Sequence, residues 1–330
     1  MPSCNLVFLG YGTVTRALVA LLDRNRAALA RDHDITFVAT GVASRRIGWR
    51  ANPLGLDPSA PSGMECRDIR EWLAAARADV VFEAIALDPR AGQPALDYLR
   101  AALEYGAHAI SANKGPVVHG YRELSALAAR VGRRYRFESS VMDGAPLFSL
   151  VRECLPLAGL TAVRGVFTST ATIVLEAVEE GLSMADGIAR AQRLGIAEAD
   201  PSYDVDGWDS AVKLCAAANV LLGGDLRPDN VTREGIGALS PDEIRRAHSE
   251  GRPYRLAGDV RRDDEGTLRA RVGPVRCAAG DALGIARGTT LVTHLEAHMF
   301  PGGLTITSHD PDPTTTAYGM FSDFVNVAKG

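Results

Sequence analysis

Apolar residues in the first 130 positions follow two alternating rhythms. Short continuous runs, as a strand buried on both faces needs, precede segments with apolar residues at helical spacing. "LVFL" (6–9) predicts a strand and "TRALVALL" after it an amphipathic helix. "ITFVATGVA" from Ile35 predicts a second strand, "RDIREWLAAAR" a helix, and "ADVVFEAIA" a strand whose end carries Glu83 and Ala84. "GQPALDYLRAALEYG" predicts a helix ended by Gly106. "HAISANKGPVV" predicts a strand running into Ala112, Asn113 and Lys114, and "YRELSALAARVG" a further helix. Such alternation predicts a parallel, doubly wound sheet with ligands at the carboxyl ends of its strands.

From Arg136 the pattern changes. "RFESSVMDGAPLFSLVREC" predicts a strand, a turn and a helix start. "LTAVRGVFTSTATIVLEAVEEG" predicts a strand from Leu160 to Phe167, a Ser/Thr turn and a helix. Two helical runs follow, "LSMADGIARAQRLG" and "DSAVKLCAAANVLL". Gly195 stops the first; Asp206 is the expected N-cap of the second, which puts Asp209 at its N3 position. "PYRLAGDVRRDDEGTLRARVGPV" predicts a β-hairpin with Asp264–Gly266 near its tip, and "TTLVTHLEAHMF" and "GGLTITSH" predict two more strands. An antiparallel sheet with helices on one face makes this half α+β. "PTTTAYGMFSDFVNVAKG" predicts a last helix that returns to the first domain. The fold class is therefore α/β: a first domain of 1–136 completed by 311–330, and an α+β domain of 137–310.

The order strand, Gly10-x-Gly12, helix is the one a dinucleotide site requires. Glycines let backbone amides approach a pyrophosphate, and the helix N-terminus faces the negative charge. Thr15 stands where a third glycine is expected, which weakens the match. After the second strand comes a Pro-, Gly- and Arg-rich loop (45–64). No acid closes that strand to read a ribose 2′-hydroxyl; Ser44, Arg45 and Arg46 stand there, a set suited to a 2′-phosphate or to a solvated loop.

The stretch 193–214, "RLGIAEADPSYDVDGWDSAVKL", carries Glu198, Asp200, Asp204, Asp206, Asp209 and Lys213. Asp209 and Lys213 lie four apart, so they share a helix face, with Ala216 and Ala217 next on it. A carboxylate beside an amine in a small-residue pocket could bind a hydroxyl and pass its proton. The same spacing also fits a surface ion pair, which is common.

With 330 residues, 46% of them hydrophobic, the chain can bury one large or two medium cores. Its net charge is −4 and it has no basic stripe, so nucleic acid is not expected as a partner. No membrane-length apolar run and no signal pattern are present, so a cytoplasmic enzyme is expected. Five cysteines (Cys4, Cys66, Cys154, Cys215 and Cys277) have no zinc-ligand spacing and read as reduced thiols. Cys154 has no histidine placed near it by sequence, which argues against a nucleophilic role.

At this point the chain resembles a known family, the short, monofunctional homoserine dehydrogenases, over essentially all its length. The resemblance is carried by the Gly-x-Gly turn, "SANKGPV" (111–117), "ESSVMDGAPL" (138–147), the acidic block 194–214, "REGI" (233–236) and "TTTAYGMFSD". It implies a Rossmann domain and an α+β substrate and dimerisation domain, with no ACT-type regulatory tail. It implies reversible, nicotinamide-dependent reduction of L-aspartate 4-semialdehyde to L-homoserine in a homodimer; the arginines after the second strand make NADP the expected cofactor, with NAD as the alternative. By position, Lys213 would be the proton donor, Asp209 would bind the hydroxyl end, and Glu198 would hold the amino group. Asp204 and Thr170 would line the substrate. Lys114 would sit between nicotinamide and substrate. Gly10, Gly12, Thr13, Val14, Arg45, Arg46, Ala84, Ala112, Asn113, Gly195 and Thr315 would touch the cofactor. Glu138, Val141, Asp143 and Ala145 would hold a monovalent cation such as Na⁺, mostly through carbonyls.

Two motifs depart from the family. Thr168-Ser169-Thr170-Ala171-Thr172 replaces the usual Asn-Gly-Thr-Thr-Asn, and "SHDPDP" (308–313) replaces a Gly-Ala-Gly turn. They leave open a dehydrogenase of the same fold acting on another small amino-acid aldehyde or alcohol. A catalytically silent nucleotide-binding protein is the other alternative, against which Asp209, Lys213 and Lys114 together argue.

Overall fold

The computed structural model describes residues 3–329; Met1, Pro2 and Gly330, which the expected domain ranges include, lie outside the described residues. The chain forms two compact units. One runs to Pro146 and includes the segment from Asp312 onward; the other is Leu147–Pro311. The first boundary thus falls at 146 rather than 136. The reason is tertiary: the turn after Arg136 is bonded to the last helix. The Glu138 N–H donates to Asp323 Oδ2 at 2.9 Å, and the Ser139 hydroxyl to the Thr316 carbonyl at 2.6 Å.

The first unit holds β1 (Ser3–Leu9), α1 (Thr13–His33), β2 (Thr36–Ser44), β3 (Gly48–Ala51), β4 (Met64–Cys66), α2 (Ile69–Ala76), β5 (Val80–Glu83), α3 (Ala95–Tyr105), β6 (His108–Ser111), α4 (Lys114–Arg130) and β7 (Tyr135–Arg136). Its last helix is Pro313–Ala328, α11 in chain order. The sheet order is β4-β3-β2-β1-β5-β6-β7. β2, β1, β5, β6 and β7 run parallel, as expected. β3 and β4 are antiparallel additions, so part of the segment read as a loop is a β-hairpin on β2. Its many Pro and Gly residues hid the hairpin, because they break the alternation that marks a strand.

Leu6, Val7, Phe8 and Leu9 are all buried, as a central parallel strand requires. α1 buries Leu18, Leu21, Leu22 and Leu29, one stripe at helical spacing. Phe8 stacks on Phe82 at 5.4 Å, and Phe324 of α11 meets Phe82 edge-on at 5.9 Å. Those ring contacts fix α11 against the sheet.

The second unit holds α5 (Leu147–Ser149), β8 (Leu160–Val166), α6 (Ser169–Glu179), α7 (Met184–Arg193), α8 (Ser202–Val205), α9 (Trp208–Leu221), β9 (Thr232–Arg233), α10 (Pro241–Ser249), β10 (Tyr254–Arg262), β11 (Leu268–Arg276), β12 (Leu291–Ala297) and β13 (Phe300–Ser308). The sheet order is β13-β12-β8-β10-β11-β9. It is mixed rather than antiparallel, because β9 joins β11 in parallel. α9 lies against β8, β10 and β11. From Asp209 to Asn219 every residue of α9 is buried, so it is a central helix with no single wet face.

Three helix starts differ from the sequence reading. α4 begins at Lys114, capped by Asn113, so "KGPVV" is helix rather than strand. α6 begins at Ser169, so the expected Ser/Thr turn is its first turn. α9 is preceded by Gly207 in the left-handed region (φ 83°), not capped by Asp206; Asp209 is therefore its second residue. α10 has no counterpart in the sequence reading. Only Ile244 and Ala247 are buried on it, although the Ser240 side chain caps it at the Glu243 N–H, 3.2 Å.

Candidate active site

The Gly-x-Gly turn of the first unit opens on a cleft of about 550 Å³. Gly10, Gly12, Arg16, Arg45, Arg46 and Ala84 are among its walls. Gly10 has φ +92°, and a Cβ there would lie 2.5 Å from the Ala84 carbonyl oxygen, so only glycine fits. At Gly12 a Cβ would meet nothing within 4 Å. Its bare face looks into open space where a phosphate can approach, and α1 starts immediately after it with Thr13 and Val14. These features fit a dinucleotide.

Tyr11, Ile47, Trp49, Ile85 and Tyr98, none of them a sequence candidate, complete much of the wall together with Ser44. Trp49 comes from the unexpected hairpin and stands edge-on to Tyr98 at 5.4 Å. Arg16 lies over the Tyr11 ring at 5.9 Å. The Ser44 hydroxyl accepts from the Ile47 N–H at 3.1 Å, which turns the chain into β3. Arg45 and Arg46 are exposed and form no hydrogen bond or ion pair among the described residues.

At the neighbouring strand ends, the Ala112 N–H donates to the Glu83 carbonyl at 2.9 Å. Asn113 Oδ1 accepts from the Gly115 N–H at 3.0 Å, which caps α4 and sets Lys114 as its first residue. Thr315 lies in the first turn of α11, where its N–H donates to the Asp312 side chain at 2.9 Å. In the turn expected to hold a cation, Glu138 and Val141 are buried, Asp143 is left-handed (φ 47°), and the Ala145 N–H donates to the Met142 carbonyl at 3.0 Å. Among the described residues no group of three or more His, Cys, Asp or Glu could hold a metal, so any ion there would depend on carbonyls.

In the second unit, Lys213 and Asp209 are each only 9% exposed. Lys213 Nζ lies 3.2 Å from Asp209 Oδ2 and donates to the Phe167 carbonyl at 2.7 Å. Phe167 was not a candidate, since it acts through its backbone. Its ring rests over Gly165 and Gly258, which pair across β8 and β10; a Cβ at Gly165 would come within 2.3 Å of that ring. This seat fixes the carbonyl that holds the lysine. Ala216 and Ala217 are fully buried, so they bring α9 close to the sheet rather than leave room for a ligand.

Thr170, in the first turn of α6, donates its hydroxyl to Asp204 Oδ2 at 2.6 Å. The Tyr203 hydroxyl is buried without a hydrogen-bond partner among the described residues. Burial first, then the charges of Asp209 and Asp204, push its ionisation upward. One phenol therefore feels both carboxylates, and Thr170, Asp204, Asp209 and Lys213 form one neighbourhood. Arg233 stacks over Trp208 at 3.8 Å and donates to the Asp206 carbonyl, tying β9 to the loop before α9. Glu198 is not drawn in: its side chain is exposed and unpaired among the described residues, and only its carbonyl accepts, from Gln192 at 3.1 Å. Gly195 (φ 71°) ends α7 as expected, its N–H donating to the Gln192 carbonyl at 2.9 Å. The five cysteines are free, and burial pushes Cys215 up to about 12, which makes it inert at neutral pH.

A parallel sheet with a glycine turn and a buried amine–carboxylate pair on a separate α+β unit is the construction of a nicotinamide-dependent oxidoreductase. Residues 10–138 match the family model for the homoserine dehydrogenase NAD binding domain, and residues 146–325 match the homoserine dehydrogenase model. The chain belongs to the homoserine dehydrogenase family and interconverts L-homoserine and L-aspartate 4-semialdehyde with NAD(P).

It is 30% identical to an NAD(+)-dependent homoserine dehydrogenase of Pseudomonas canavaninivorans, over 99% of this chain and 97% of that protein. A homoserine dehydrogenase of Methanocaldococcus jannaschii is 29% identical over 76% of this chain and 73% of its own length. The crystal structure of a homoserine dehydrogenase from Thiobacillus denitrificans superposes with a TM-score of 0.85 at 25% identity, covering 100% of this chain and 74% of that one.

Proposed function

We propose that Lys213 and Asp209 carry the proton transfer of this reaction. The observation behind this reading is the buried pair itself, with Nζ 3.2 Å from Asp209 Oδ2 and 2.7 Å from the Phe167 carbonyl. An alkoxide formed at the substrate must be protonated as it forms, and a fixed ammonium does this as general acid. In the oxidative direction the neutral Lys213 amine takes the hydroxyl proton. Asp209 holds the substrate hydroxyl and keeps Nζ in place. Thr170 and Asp204 line the same neighbourhood. Glu198 stands apart from that neighbourhood, and on the resemblance alone we assign its exposed carboxylate to the substrate ammonium, so loss of its charge raises KM more than it lowers kcat. By the resemblance, Lys114, at the start of α4, would stand between nicotinamide and substrate.

The bound dinucleotide supplies or accepts the hydride. Gly10, Gly12, Thr13 and Val14 would hold its pyrophosphate, and Ala84, Ala112, Asn113, Gly195 and Thr315 would complete its contacts. Although one relative is named NAD(+)-dependent, Arg45 and Arg46 favour NADP here: two exposed guanidinium groups at the cleft, with no competing acid at the end of β2, suit a 2′-phosphate. The turn Glu138–Ala145 offers one buried carboxylate and several carbonyls, oxygen donors that suit a hard monovalent cation such as Na⁺.

A homodimer through the second unit's sheet has support in the face turned away from α9. Arg164, Asp259, Arg261 and Glu296 form a chain of partly exposed ion pairs there, beside the exposed Met299 and Phe300.

The test is turnover of L-homoserine by the Asp209→Ala protein. We expect kcat to fall by about 10²-fold or more with cofactor affinity unchanged. Near wild-type kcat would remove Asp209 from the mechanism.

A further inference from the structure

We infer that Glu83 is a positioning residue for the reaction: through Ser111 and Asn113 it fixes the end of β6 and the start of α4. The inference rests on the reading of Lys114 given above, since Lys114 is what that start presents.

Glu83 ends β5 and is fully buried in the middle of the parallel sheet. A carboxyl group there is costly unless its oxygens are satisfied. All three of its side-chain bonds go to strand-end segments. Oε1 accepts from the Ile85 N–H at 2.9 Å and from Asn113 Nδ2 at 3.3 Å. Oε2 accepts from the Ser111 hydroxyl at 2.5 Å. Ser111 pairs with Glu83 across β5 and β6, and its oxygen accepts from the Asn113 N–H at 3.0 Å. The Asn113 amide is thus held by its nitrogen, which leaves its oxygen aimed at the Gly115 N–H, 3.0 Å away. The Glu83 backbone takes part as well, accepting from the Ala112 N–H at 2.9 Å.

One residue therefore constrains 111, 112 and 113 together and, through the cap, the first turn of α4. A leucine would fill the same volume at a lower desolvation cost but would orient nothing. Packing does not explain a glutamate here, whereas orientation of Asn113 does.

The bonding pattern predicts which substitute works. In Glu83→Gln the amide oxygen keeps both Oε1 donors and the amide nitrogen donates to Ser111 Oγ. Ser111 then turns its proton toward the Asn113 carbonyl, already 3.4 Å away. In Glu83→Leu all three donors lose their acceptor.

The experiment measures steady-state oxidation of L-homoserine by Glu83→Gln, Glu83→Leu, Asn113→Ala and the double variant Glu83→Leu/Asn113→Ala, with cofactor affinity by fluorescence titration. We expect Glu83→Gln to keep kcat within about twofold and cofactor Kd unchanged, and Glu83→Leu to lower kcat about tenfold or more at saturating substrate and cofactor, with cofactor binding weakened because Ala112 and Asn113 are assigned to its contacts. The double variant should be no worse than the worse single one, because both break the same path. Wild-type kcat in Glu83→Leu with only a lower Tm would reduce Glu83 to a structural role and overturn the inference. Equal losses in Gln and Leu, or fully additive losses, would overturn it too. If Glu83→Leu does not fold, Ser111→Ala replaces it in the cycle and should lower kcat in the same direction; unchanged kcat there would count against the inference. Lys114→Ala is measured alongside. Unchanged kcat in that variant sinks the reading of Lys114 alone, since the coupling between Glu83 and Asn113 is scored by its own cycle.

Discussion

Two arginines carry the account of cofactor choice. Arg45 and Arg46 stand at the cleft without protein partners among the described residues, so their charge is available to a ligand. A 2′-phosphate carries roughly two negative charges and matches planar guanidinium forks. We predict that NADP⁺ binds more tightly than NAD⁺, and that Arg45→Ala or Arg46→Ala weakens NADP⁺ by about tenfold while leaving NAD⁺ nearly unchanged. Calorimetry with both oxidised cofactors checks this; equal affinities, untouched by either substitution, would make the arginines a solvated turn. At this scale the sequence was informative wherever chemistry resides in a side chain. The Asp209–Lys213 pairing was legible in its i,i+4 spacing, although a surface ion pair fitted that spacing too, whereas Thr170 and Asp204 entered only through the resemblance. The Phe167 carbonyl was not legible, because every residue has one and only the seat over Gly165 and Gly258 makes this one special. Trp49 and Tyr98 were missed because an aromatic residue in a chain reads as core until the wall it completes is seen.

Elements were legible where one rhythm ran long enough. β1, α1 and the 254–276 hairpin have such runs; the hairpin agrees with expectation to about a residue, whereas β1 begins at Ser3, ahead of "LVFL", and α1 runs on to His33, well past "TRALVALL". The errors fall at helix starts, where a cap competes with a strand-like run. "KGPVV" looks extended because of Pro116 and two valines, yet Pro116 lies in the first turn, where its missing N–H costs nothing. β6, just before it, also carries a pH prediction. His108 Nδ1 accepts from the Arg134 N–H at 3.1 Å, which requires the neutral ring. Burial first, then Arg133, Arg134 and Arg136, push its pKa down from 6.5 to about 4. The unfolded chain therefore binds a proton in this window that the folded one refuses. This contribution to stability is complete above pH 6.5 and declines as pH falls toward about 4. Melting curves of the wild type and His108→Asn should diverge accordingly: the wild type loses more Tm between pH 7 and pH 4.5. Parallel Tm–pH curves would contradict the assignment.

For the whole molecule, the division of labour was visible in the change of pattern near residue 136, but the boundary at 146 was not. It is set by hydrogen bonds from Glu138 and Ser139 to α11, partners more than 170 residues away in sequence that no local pattern encodes. The same holds for β9, whose parallel place beside β11 follows from tertiary pairing of two residues, too short a run to show periodicity. The first unit holds the cleft we assign to a dinucleotide, and the second the amine–carboxylate pair we assign to proton transfer. The most direct measurement of that claim is kcat for L-homoserine oxidation by purified Lys213→Ala, with cofactor affinity measured on the same sample. The account predicts a loss of about 10²-fold or more in kcat with cofactor Kd unchanged, the range general acid–base catalysis supplies. Turnover near the wild-type rate in that variant would contradict it.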